Sequence, residues 1–86
     1  MEALINKLTA ALAGAFPGCQ VAVSRSGSGG RVGGSITWAG FDGLDQIDRQ
    51  HRLRGVLDGA LSADERREVS LILTFTPAEQ AVMRAG

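Results

Sequence analysis

The chain has 86 residues, 44% of them hydrophobic, with nine basic side chains against nine acidic ones. This is enough for one modest core and too little for a core with a deep catalytic cavity to spare. Zero net charge excludes bulk attraction to nucleic acid or to an anionic membrane, so any such binding needs a local patch. Cys19 is the single cysteine, which excludes an internal disulfide and agrees with a reducing, cytoplasmic setting.

One domain over residues 1–86 is expected, with no membrane span, since no apolar run nears the ~20 residues that cross a bilayer. In MEALINKLTAALAGAF, Leu4, Ile5, Leu8, Leu12 and Phe16 recur every three to four residues. That stripe predicts an amphipathic helix stopped by Pro17-Gly18, and the missing basic leader argues against a signal peptide. Val21 and Val23 alternate with polar or small neighbours, which predicts a half-buried strand. SGSGGRVGGS, residues 26–35, then predicts a mobile loop, and SITWAGF a second strand with Ile36 and Trp38 on one face. Together they read as an antiparallel hairpin with a long tip.

Asp42 is the expected cap of the next helix, with Asp45 in its first turn. Leu44 and Ile47 make one apolar stripe, and Leu53, Val56, Leu57, Ala60 and Leu61 another. The step of six between Ile47 and Leu53 predicts a bend, or two short helices meeting near residues 50–53. SADERRE reads as a charged connection. VSLILTF, apolar nearly throughout, reads as a central strand covered on both faces. Thr76, Pro77 and Glu79 predict a capping box opening a last helix. The order is α-β-β-α-α-β-α, an α+β chain.

The only histidine, His51, sits in FDGLDQIDRQHR. No Cys, Asp or second His stands at a metal-ligand spacing from it, and Asp48 also faces Arg52, so it reads as a half-exposed helix residue. Asp45–Arg49, Asp48–Arg52 and Arg54–Asp58 are expected i,i+4 pairs on a solvated face. The alternative is that Arg49 and Arg52, helped by Arg31 on the glycine loop, reach toward phosphates. The loop lacks the Gly-Lys-Ser/Thr ending of a phosphate loop and precedes a strand, so it reads as a hairpin tip. Cys19 reads as a buried thiol, and Trp38 as packed in the sheet. No paired acid, base or nucleophile stands out, so no catalytic or metal-ligating residue is assigned.

An N-terminal helix ended by FPG, then VAV, the block from FDG through IDRQHR with the helix after it, and a last strand followed by TPAE resemble the BolA family of small stress-linked proteins. The likeness spans nearly the whole chain, is most specific over residues 41–79, and hardly includes the glycine-rich hairpin. The resemblance implies a class II KH-like fold with a three-stranded mixed sheet packed against helices. It implies two activities: sharing a bridging [2Fe–2S] cluster with a monothiol glutaredoxin partner, and nucleic-acid binding with transcriptional regulation. Cluster sharing in the family uses a histidine in the last strand and a cysteine or histidine in the hairpin loop. Here the strand position falls on Glu68 or Ser70, the loop reads GSGGRVGG, and His51 takes the third place of an RHR-like triplet. Iron–sulfur iron is held by thiolate or imidazole. The expectation is therefore a non-enzymatic, BolA-like regulatory or adaptor domain without the usual ligands. It would bind protein or nucleic acid through Arg31, Arg49, His51 and Arg52. The alternative is glutaredoxin association, without metal or with Cys19 or His51 as a substitute ligand.

Overall fold

In a computed structural model, which describes residues 3–27 and 30–85, the leucine stripe forms helix α1 (Ala3–Ala15). Leu4, Leu8, Leu12 and Phe16 turn inward and are buried. Pro17 cannot continue the helix, and Gly18 takes the left-handed turn that follows, at φ 81°. Strand β1 (Gln20–Arg25) pairs antiparallel with β2 (Val32–Thr37), and β2 pairs in parallel with β3 (Val69–Phe75). The crossover that parallel pairing requires runs through a 3₁₀ turn (Ala39–Phe41), helix α2 (Gln46–Ala60) and helix α3 (Ala63–Arg67). Helix α4 (Pro77–Ala85) follows β3. Among the described residues the arrangement is α+β, a three-stranded mixed sheet with four helices in the expected order.

Leu8, Leu12, Val32, Ile36 and Phe41 form the fully enclosed centre of the core. Burying each such side chain stabilises the fold by roughly 1.5–3 kcal/mol. Trp38 lies just beyond β2 and not within the sheet. Its ring stands 4.9 Å from Phe16 and 5.2 Å from Phe41, and its indole N–H donates to the Pro17 carbonyl at 2.9 Å. This aromatic trio ties the end of α1 to the 3₁₀ turn.

Four expectations are corrected. First, α2 is one continuous helix, and its cap is Asp45, whose Oδ1 accepts from the Asp48 amide at 2.8 Å; Asp42 instead ends the 3₁₀ turn. The misphased stripes arose from placing Ile47 in the core, where it is 68% exposed. The inward stripe is Arg49, Leu53, Val56 and Leu57, which phases correctly. Second, the charged connection contains α3, closed by a reciprocal capping box between Ser62 and Glu65.

Third, the glycine-rich segment is not all loop, because β2 begins at Val32. Gly33 and Gly34 are strand residues where neighbours approach too closely for a side chain. A Cβ on Gly34, at φ 151°, would run into the Ala22 carbonyl, and one on Gly33 would meet the Ser70 hydroxyl. Residues 28 and 29, also within the expected loop, lie outside the described residues. Fourth, β3 is an edge strand and β2 is the central one. Only alternate residues of β3 face the core: Ile72 and Thr74 are buried, whereas Leu71 is 64% and Leu73 45% exposed.

Candidate docking site on the strand-helix face

An edge strand leaves one row of main-chain groups without a strand partner. Along β3 that row is met by polar side chains of α2. Gln50 donates to the Ile72 carbonyl at 3.1 Å, Gln46 donates to the Thr74 carbonyl at 3.5 Å, and the Thr74 hydroxyl donates to the Gln46 amide oxygen at 2.8 Å. The two glutamines stand one turn apart on α2, which matches the two-residue repeat of outward carbonyls on β3.

Arg49 stands between them and is 5% exposed. Its Nε donates to the Leu44 carbonyl at 2.9 Å and its Nη1 to the Thr74 carbonyl at 3.4 Å. Nη1 and Nη2 grip the two Glu79 oxygens at 2.7 and 3.3 Å. The guanidinium carbon sits 5.8 Å from the centre of the Phe41 ring, within cation–π range. Glu79 also accepts from the Thr76 amide at 2.8 Å as part of the expected capping box. The Arg49 hydrogen bonds first, and the Thr76 amide second, hold the Glu79 carboxyl below the usual range. Arg49 is thus a strut joining α2, β3 and α4. The expected role as a surface contact, and the expected pairing with Asp45, are corrected: its charge is enclosed and already spent on Glu79.

The remaining residues separate. His51 and Arg52 lie on the exposed side of α2, and Arg31 is exposed ahead of β2. Among the described residues no ion pair joins Asp48 to Arg52, and Asp58 pairs with Arg66 at 3.2 Å and not with Arg54. Cys19 is half-buried beside the end of α1, where its thiol points at the Leu12 carbonyl at 3.7 Å and burial pushes its pKa up. The positions that the resemblance assigns to cluster ligation do not fit an iron–sulfur group. Glu68 pairs with Arg25 at 3.2 Å, and the Ser70 hydroxyl donates to the Val32 carbonyl at 3.2 Å. No group of three or more His, Cys, Asp or Glu side chains able to hold a metal occurs among the described residues.

Beside the sealed part of the β3 edge, a groove of about 410 Å³ opens between α2, α3 and the start of β3. Leu57, Val69 and Leu71 give it apolar surface above a floor of buried Leu53 and Ile72, and Gln50 and Arg54 give it polar contacts. Its second cation, Arg66, is the one neutralised by Asp58. Sequence reasoning missed both glutamines. The available signal was their i,i+4 spacing either side of Arg49, opposite a strand with a polar Thr74 inside an apolar run. No helix among the described residues is long and apolar enough to cross a membrane. No protein-family model matches the chain, and no curated protein matches it.

Proposed function

We propose that the chain is a non-enzymatic, BolA-like regulatory or adaptor domain that binds a protein partner through the groove between α2 and β3. The groove is the observation that carries this reading. Apolar surface from Leu57, Val69 and Leu71 lies beside an internally balanced Asp58–Arg66 pair. Such a surface suits a protein segment better than a phosphate backbone, whose affinity comes from cations that shed counterions. The order of elements equals the one the resemblance implies and supports it. A monothiol glutaredoxin is the first partner to try, joined by surface contact because Glu68 and Ser70 offer iron no soft donor. A cytoplasmic setting belongs to the same proposal and rests on the single cysteine.

The test is a titration of isotopically labelled protein with a monothiol glutaredoxin, with and without iron and sulfide. The amide shifts and the visible absorbance are followed together. Shifts centred on Gln50, Arg54 and Leu57, weakened by Arg54→Glu and with no cluster band that depends on this chain, are expected. Absence of any shift removes glutaredoxin as partner. A cluster band abolished by His51→Ala or Cys19→Ser establishes the substitute-ligand alternative instead.

Nucleic-acid binding is the second reading, favoured by the exposure of Arg31, Arg52 and Arg54. It predicts that duplex DNA binds more tightly at low salt and that Arg52→Ala lowers affinity while flattening the salt dependence. No binding at low salt ends that reading.

A further inference from the structure

The sheet has a second face, turned away from the core. Strand register places Ala22, Ser35 and Leu73 in one row across it, and beside it Ser24 pairs with Gly33, opposite the register shift where Ser70 and Leu71 of β3 fall. The third row ends in Thr37 and Phe75, where Gln80 of α4 accepts from the Thr37 hydroxyl at 2.8 Å. The rows contain no charged residue, although the chain carries eighteen charged side chains (nine basic and nine acidic). Leu71 and Leu73 stand out from β3 as a ridge. Beside them Ala22, Ser24 and Ser35, all small, leave a shallow trough, and the Ser70 hydroxyl fills the place that a side chain on Gly33 would take.

We infer that this face associates with a second copy of the same chain. A half-turn about an axis running along β2 lays the leucine ridge of each copy into the trough of the other, so the shape is complementary to itself. Sheets pack face to face in this way at about 10 Å, with the strands roughly aligned. Charge favours the same occupant. The face presents no cation to a phosphate or an anionic lipid, has no charge to desolvate, and belongs to a chain of zero net charge, which meets its own copy without net repulsion. Area sets the strength. Three strands at ~4.8 Å and six residues at ~3.4 Å cover about 14 by 20 Å. That lies well below the roughly 800 Å² per partner of a tight complex. The dimer is therefore weak and concentration-dependent, and each copy folds without it. Leu71 also lines the groove, so the inference is tested at Leu73 and Ala22, which do not.

Sedimentation equilibrium from about 10 μM to about 1 mM tests it, a range that brackets weak association. The mass is expected to rise from 9.0 kDa toward twice that value. Leu73→Lys and Ala22→Lys, both at exposed positions, are each expected to weaken association at least about tenfold, because each places a charge in the contact. Thermal melts of the two variants at low concentration, matching the parent chain, establish that both still fold. Arg52→Ala, on the far side of α2, is expected to leave the mass profile unchanged. A chain that stays monomeric to 1 mM overturns the inference, as does a dimer indifferent to both lysine substitutions.

Discussion

Ile72 and Leu73 are neighbours on one strand, nearly the same size, and live in different worlds. Ile72 is 2% exposed against the core; Leu73 is 45% exposed on the outer face. The inner face of the sheet is closed by aliphatic packing from α1 and α2, and even the polar groups enclosed there, Arg49 of α2 and Thr74 of β3, have bonded partners. The outer face is uncharged, built from small residues beside a leucine ridge, and left uncovered over two of its three rows. The difference teaches that an apolar side chain on an edge strand can serve the fold or wait for a partner. Which it does is decided by the neighbour opposite and not by its own chemistry.

The largest expected effect breaks the inner face. Ile72→Ala removes a buried side chain from the contact between β3 and the core and should destabilise the chain by about 2–5 kcal/mol. Chemical denaturation of the dilute monomer measures it, and a loss under about 1 kcal/mol would mean that the strand is not seated as described.

Next comes the polar strut of the same side. Arg49→Met keeps much of the apolar stem but leaves the Leu44 carbonyl without its side-chain donor and unties Glu79 from β3. We expect a loss of about 2–4 kcal/mol, the range for dismantling an enclosed hydrogen-bonded charge whose partner stays partly in water. Arg49→Lys should recover only a minor part, since an ammonium cannot reproduce the two-pronged grip on Glu79 together with the bond to Leu44. Full recovery by lysine would refute the fork geometry.

This strut also marks where the sequence was legible and where it was not. The leucine stripe of α1, the Pro-Gly stop and the Thr76–Glu79 capping box were readable, because each follows from local chemistry. The phase of α2 was not, because the stripe passes through an arginine: a reader who assigns Arg49 to water must promote Ile47 to the core and infer a bend that does not exist. Strand β3 misled for a related reason. Its apolar run hides a two-residue alternation, and Leu71 and Leu73 look as buried as Ile72 until β3 is known to lie at an edge. Gly33 and Gly34 looked like loop because nothing local announces that Ala22 and Ser70 press against them. Of the candidate contacts, Arg31, His51 and Arg52 do lie at the surface, but the groove depends on Gln50 and Leu57 meeting Ile72 and Val69 across a crossover that no local pattern encodes.

A smaller effect sharpens the contrast by pH. Glu79, held by Arg49, and Glu65, held by Lys7 at 2.8 Å and then by its own cap, both have carboxyl pKa values below the ordinary range. A carboxyl depressed in the folded state adds stability that is present above the unfolded value, about 4.3. That stability is lost as pH falls through the folded value. Stability should therefore be level from pH 7 down to about 5 as far as these two groups decide it, and then decline on further acidification. In Arg49→Met the decline should be shallower, because Glu79 no longer has its cation. Denaturation midpoints measured across the acid range test this, and an equally steep decline in both proteins would detach Glu79 from the acid response.

The smallest effect on stability is expected on the outer face, and it is the sharpest discriminator. Leu73→Ala removes the same kind of side chain as Ile72→Ala, one residue along the same strand. In dilute solution, however, Leu73 is half in water and borders Ser35, so little burial is lost and the cost should stay within about 0.5 kcal/mol. At high concentration the same substitution thins the ridge that enters the partner's trough and should lower association. A residue that matters to assembly and scarcely to folding is what an uncovered face requires. A large stability cost at low concentration would instead place Leu73 in the service of the monomer and leave the outer face without a purpose of its own.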